Sequence, residues 1–174
     1  MPDMAILLGN CVIPSENRDR IGLDMSLLDD LYKEIILRHY KSPHNYGPLD
    51  SANVRVMGDN PSCGDQIELM VLTDGEQIAD LRFRGQGCAI SQASASLMTD
   101  LVKGKPWAEA LELERKFKSM ILDGTPPSPE LGDLAALSGV HKLAARVKCA
   151  TLAWNALEQA AQEAGALSPR AKSP

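Results

Sequence analysis

Apolar residues recur along this chain with a period that switches from helical to alternating and back, which divides it into elements. Leu28, Leu31, Tyr32, Ile35 and His39 fall on one helical face. Ser26 followed by Asp29 is a capping-box signature at the start of that helix. The helix is expected to end at Lys41, because Pro43 disfavours helical geometry at Ser42 and Asn45-Tyr46-Gly47-Pro48 carries turn chemistry. Three alternating segments follow. Val54 and Val56 form the first, Ile67, Leu69 and Val71 the second, and Ala79, Leu81 and Phe83 the third, set against Asp80, Arg82 and Arg84. This is the period of half-buried strands. Asp74-Gly75 between the last two is a hairpin signal.

Beyond residue 88 the helical period returns. Ile90, Ala93, Leu97, Met98 and Leu101 make a stripe that stops near Gly104, and Pro106 opens a second helix carried on by Ala110, Leu113, Phe117 and Met120. The run from Asp123 to Pro129 breaks it, and one or two short helical turns are expected between Glu130 and Leu137, before Gly139. In the last helix Leu143, Val147, Ala150, Trp154, Leu157 and Ala161 form a stripe that should pack on the sheet. Cys149 lies about 100° round from that stripe, beside its i,i+3 neighbour Arg146, and is expected at the edge of the buried face. These elements predict an α+β domain in which a small three-stranded antiparallel sheet packs against several helices.

Residues 1–24 show neither period, and Pro14 to Arg20 is polar. They read as a disordered extension ahead of one domain at 25–165, with a flexible tail at 166–174. A good helix begins directly behind Met25, so Met25 is read as the functional start. Across all 174 residues the formal charge is -5 and the pI about 5.2, which argues against nucleic acid or an anionic membrane surface as partner. No apolar run approaches the roughly 20 residues that span a bilayer, and Met1 to Leu8 lacks the charged start of a secretion signal. The expected location is the cytoplasm, where thiols stay reduced and widely spaced cysteines serve metals or catalysis rather than disulfides.

Three cysteine segments carry the candidate chemistry: Asn60-Pro61-Ser62-Cys63-Gly64-Asp65, Gly85-Gln86-Gly87-Cys88-Ala89-Ile90-Ser91, and Arg146-Val147-Lys148-Cys149-Ala150-Thr151. Cys63, Asp65, Cys88 and Cys149 make up a four-ligand set of the kind that tetrahedral zinc takes. An antiparallel hairpin would bring Cys63 and Cys88 to one end of the sheet. Three thiolates and a carboxylate exceed the charge of a divalent ion, so nearby cations such as Arg146 and Lys148 would help. Cys88 at a helix start gains further thiolate stabilisation. Any one cysteine alone reads equally as buried core, and Arg146 equally as a surface cation. His39 reads as packed and His44 as solvated in a turn, His141 lies about 12 Å up a continuous helix from Cys149, and Cys11 falls in the extension; none is assigned a ligand role.

With Leu152-Ala153-Trp154 added to the last, the three segments resemble the SufU family, zinc-dependent sulfur-transfer proteins of the SUF iron–sulfur assembly system, from about Met25 to about Glu163. SufU proteins are similar in fold to the IscU scaffolds. Lys148 stands where IscU scaffolds have a histidine, and Asp123 to Gly139 looks like the insertion SufU proteins carry; both favour SufU. The resemblance implies an IscU-like fold, zinc on Cys63, Asp65, Cys88 and Cys149, and a pyridoxal-phosphate cysteine desulfurase (SufS-like) as partner. It implies a sulfurtransferase that accepts persulfide sulfur, stimulates the desulfurase and passes sulfur to the downstream assembly machinery. Cys63, in a loop able to swing, is the expected acceptor, with Arg146 beside the thiols as a second catalytic candidate. The nearest alternative is a scaffold that assembles a [2Fe–2S] cluster on the same residues, and a purely structural zinc module is another. A zinc deaminase would need an H-x-E and P-C-x-x-C signature, which is absent. Deleting residues 1–24 should leave the metal content of the purified protein unchanged by elemental analysis.

Overall fold

The computed structural model describes residues 23–166, with side chains from Asp29 onward. Residues 1–22 and 167–174, which include Cys11 and most of the expected extension and tail, lie outside the described residues. Helix α1 (Leu23–Lys41) leads into strands β1 (Val54–Asn60), β2 (Asp65–Thr73) and β3 (Ile78–Gln86). Helices α2 (Ala89–Val102) and α3 (Trp107–Asp123), a 3₁₀ segment (Pro129–Lys142) and helix α4 (Ala144–Glu163) follow, completing the elements among the described residues. The strands form one antiparallel sheet in the order β1-β2-β3. This is the expected α+β architecture.

Parity along the strands sets the two faces of the sheet. Val54 and Val56, then Ile67, Leu69 and Val71, then Leu81 and Phe83 are buried on one face. Across the other, Glu68 pairs with Arg84 at 2.5 Å and with Arg55 at 3.7 Å. Ala79, expected inside, is exposed. A register shift at Leu72/Thr73 pairs Thr73 with Ile78, so Ile78 takes the buried place and Ala79 turns outward.

Helix α4 lies over β1 and β2, and α2 over β3. α2 is buried along nine consecutive residues, Ser91 to Thr99, so the helix is surrounded by protein on all sides. Its serines therefore need internal partners. Ser94 Oγ donates to the Ala150 carbonyl at 2.6 Å and accepts from Trp154 Nε1 at 3.2 Å, which stitches α2 to α4. Trp154 also stacks on Phe117 of α3 with ring centroids 4.6 Å apart.

Four expectations change at element ends. α1 starts at Leu23, so Ser26 sits inside the helix rather than capping it; the side chains of Ser26 and Leu28 lie outside the described residues. The buried face of α1 is formed by Ile35 and His39 with Tyr32 and Ile36 beside them, and Leu31 is 51% exposed. His39 packs against α2 with Nδ1 2.7 Å from Ser96 Oγ; burial, then the neighbouring His44, holds its pKa below the ordinary value. The 3₁₀ segment extends well past Leu137, to Lys142, and buries Leu131, Leu134, Leu137 and Val140. Leu143, placed in the buried stripe, is the exposed residue that precedes α4.

Trp154→Ala should destabilise the fold by about 3–5 kcal/mol in urea titrations. Trp154→Phe, which keeps a ring against Phe117 but loses the bond to Ser94, should cost about 1–2 kcal/mol.

Candidate metal centre

The β1–β2 connection, the β3–α2 junction and the first turns of α4 meet at one end of the sheet. In the first, Gly64 adopts φ +72°, and the Cys63 and Gly64 amides both donate to the Asn60 carbonyl, at 3.2 and 2.9 Å. This tight turn presents Cys63 to solvent. In the second, Cys88 is the N-cap of α2, its sulfur accepting the Ser91 N–H at 3.4 Å. The register Gln66↔Gln86 puts the β2 start beside the β3 end, as the hairpin signal requires.

Asp65, the first residue of β2, joins the two. It is 1% exposed; Oδ1 accepts the Cys88 N–H at 3.0 Å, and Oδ2, equally buried, has no hydrogen-bond partner. A Cβ on Gly87 would approach Asp65 Oδ1 to 2.6 Å, so only glycine permits this junction to close over the carboxylate. From α4, Cys149 brings its sulfur 3.4 Å from that of Cys63. One ligand atom from each of Cys63, Asp65 and Cys149 lies within 4.8 Å of the other two.

Cys149 is fully buried, not at the edge of the helix face as expected. Burial, then the Asp65 carboxylate and the Cys63 and Cys88 thiols, pushes its own thiol far above the usual range. Cys88 adjoins the group through its backbone, but its sulfur is turned to Ser91 and stands outside the close cluster. Arg146 is exposed at the rim; its hydrogen bond to Cys149 and the charge of the Cys88, Cys149 and Cys63 sulfurs raise its pKa. Lys148 is exposed, with no ion pair or hydrogen bond to the thiols among the described residues. His141 lies away from this end, with Nδ1 3.1 Å from the Ile121 carbonyl.

One contributor was missed. Asn60, 4% exposed, points Nδ2 at the Cys149 sulfur from 3.8 Å. Its signal was present: Asn60 shares strand parity with Val54 and Val56, which makes it a polar residue at an inward position next to a thiol.

The residues fit a soft or borderline cation. A buried carboxylate oxygen without a partner is costly as it stands, and an ion held between it and the thiols would satisfy it. Fold and site thus define a thiolate-and-carboxylate centre at the end of a three-stranded sheet, backed by two helices. Residues 31–165 match the family model described as the NifU-like N terminal domain. The chain is 47% identical over 133 residues to the zinc-dependent sulfurtransferase SufU of Bacillus subtilis strain 168, covering 76% of this chain and 90% of that relative. It is 46% identical over 137 residues to the iron–sulfur cluster assembly scaffold protein IscU of Streptococcus pyogenes serotype M1, covering 78% and 86%. A crystal structure described as a SUF-system iron–sulfur assembly scaffold protein, from Fervidobacterium islandicum AW-1, superposes with TM-score 0.67 at 37% identity, covering 74% of this chain and 94% of that one. The chain belongs to the NifU-like N-terminal domain family, within its SufU and IscU-like group.

Zinc titrated into metal-free protein should release protons, because the Cys149 thiol must ionise to bind. The raised value of that thiol sets the sign: apparent affinity should climb with pH across the neutral range. An affinity that stays flat between about pH 6 and 8 in competition titrations would show that Cys149 is not a ligand.

Proposed function

We propose that this protein serves iron–sulfur cluster assembly as a zinc-dependent sulfur acceptor, taking persulfide sulfur from a pyridoxal-phosphate cysteine desulfurase. The observation that carries the reading is the unequal exposure of two adjoining thiols: Cys63 lies exposed on a tight turn, 3.4 Å from the fully buried Cys149. An incoming persulfide can reach the first and not the second.

Cys63, Asp65, Cys88 and Cys149 would hold the zinc, a donor set that suits this ion. When bound, the ion keeps thiols ionised at neutral pH and neutralises part of their charge. The transfer itself belongs to the chain. The Cys63 thiolate attacks the outer sulfur of the partner's persulfide; the partner's S–S bond breaks, its cysteine leaves as thiolate, and a new S–S bond forms on Cys63. Arg146 at the rim supplies a fixed positive charge beside the reacting sulfurs. Asn60 and the Asp65–Cys88 bond hold the inner half of the site still while the Cys63 turn moves.

A second reading, assembly of a [2Fe–2S] cluster on the same residues, is favoured by the 46% identity to a scaffold protein. Aerobically purified protein separates the two by colour and metal content. Colourless protein with one zinc supports transfer, and brown iron-containing protein supports the scaffold.

Mixing the protein with a cysteine desulfurase and L-cysteine should add sulfur to Cys63, as located by mass spectrometry. Cys63→Ser should abolish that adduct and the stimulation of the desulfurase while retaining part of the zinc. Sulfur found on Cys88 or Cys149, with Cys63→Ser fully active, would overturn the assignment.

A further inference from the structure

A second group of metal-ligating side chains stands apart from the thiols. His39 on α1, His44 in the turn that follows it, and Asp100 in the last turn of α2 each offer one ligand atom, and the three atoms lie within 4.8 Å of one another. Cys88 caps the start of α2 and Asp100 is twelve residues on, so this group is about 18 Å along the helix from the thiol centre. We infer that His39, His44 and Asp100 form a second, thiol-free site for a borderline divalent transition-metal ion.

The donor set selects the class of ion. Two imidazoles and a carboxylate suit zinc, cobalt(II) or iron(II), whereas magnesium and calcium prefer all-oxygen shells and copper(I) prefers sulfur. Ligands on one tetrahedral ion sit about 3.4 Å apart for bonds near 2.0–2.1 Å, so His44 and Asp100, now in direct contact, have to part slightly to admit one. This outer pair is the one able to move. The His44 and Asp100 side chains are 52% and 42% exposed, and the His44 ring already touches Asp100 Oδ2 through Nδ1. An ion would take the place of that direct contact.

The supporting groups distinguish this cluster from a chance encounter of surface residues. Ser96, fully buried, lies 2.7 Å from His39 Nδ1 and accepts the His44 backbone N–H at 2.8 Å, so a single hydroxyl orients both histidine segments. With Nδ1 engaged, Nε2 of His39 is the nitrogen left to bind an ion, which is the usual division of labour in a ligating histidine. Asn45 Nδ2 donates to Asp100 Oδ1 at 3.1 Å and to Thr99 Oγ1 at 3.0 Å, fixing the carboxylate with its other oxygen toward His44. Asn45 has φ +53°, an uncommon left-handed geometry that places its amide there. Arg38 and Asp133 line the same depression and bring one charge of each sign to it.

The test uses the intact zinc-loaded chain with added cobalt(II), followed by equilibrium dialysis and visible absorption. One further equivalent of cobalt should bind, with ligand-field bands and no thiolate-to-cobalt charge transfer. His44→Gln and Asp100→Asn, both at half-exposed positions that the core does not need, should each weaken this uptake at least about 10-fold without altering the zinc already bound. Ser96→Ala should weaken it by a smaller factor. No uptake beyond the zinc, uptake unaffected by the first two substitutions, or charge-transfer bands marking exchange at the cysteines would each overturn the inference.

Discussion

A carboxylate removed from water costs several kcal/mol unless its charge and both oxygens are matched, and Asp65 is matched at only one. Oδ1 takes the Cys88 N–H; Oδ2 faces the thiols without a hydrogen bond. Much of the local architecture serves this arrangement. Asp65 opens β2, so the turn that carries Cys63 is placed by the β1–β2 register, and the bond to Cys88 ties the β2 start to the beginning of α2. Gly87 lacks the side chain that would collide with the same carboxylate. The unmet demand at Oδ2 is one that a cation would fill.

The core holds two walls of the centre rigid and leaves the third free. α2 enters the protein immediately behind Cys88 and stays buried for nine residues from Ser91, so the N-cap cannot shift without disturbing the helix. α4 is fixed through Trp154, Ser94 and the stack on Phe117, all within two turns of Cys149. By contrast the Pro61–Gly64 turn is exposed throughout, held by two amides on the Asn60 carbonyl. Burial is concentrated in the two walls that carry Cys88 and Cys149, and exposure in the turn that carries Cys63.

The alternating and helical periods identified every strand and the principal helices, because each element has one face against the same core. What the periods missed came from features without a period. The register shift that exposes Ala79 is a property of strand pairing, invisible in one strand alone. Cys149 is deeper than its helical angle implies because the β1–β2 turn covers it, a long-range contact that places Cys63 3.4 Å away. The three ligand segments were legible from glycine and charge settings, but not the direction of the Cys88 sulfur, which the local capping bond to Ser91 decides. His39 was correctly read as packed; that His44 and Asp100 converge on it depends on α1 lying against α2, which no local signal specifies.

The two groups of ligating side chains also differ in what they can exchange. In the thiol centre two donors are soft sulfurs and one a carboxylate, Cys149 and Asp65 are buried, and the exposed Cys63 is a nucleophile when ionised, so a bound ion and sulfur chemistry would share the same atoms. At His39, His44 and Asp100 no donor is a nucleophile toward sulfur, and the buried member is a neutral ring braced by a serine. An ion there can leave or enter without forming or breaking a covalent bond. α2 connects the two, with Cys88 at one end and Asp100 near the other, and its continuous burial makes it a stiff link.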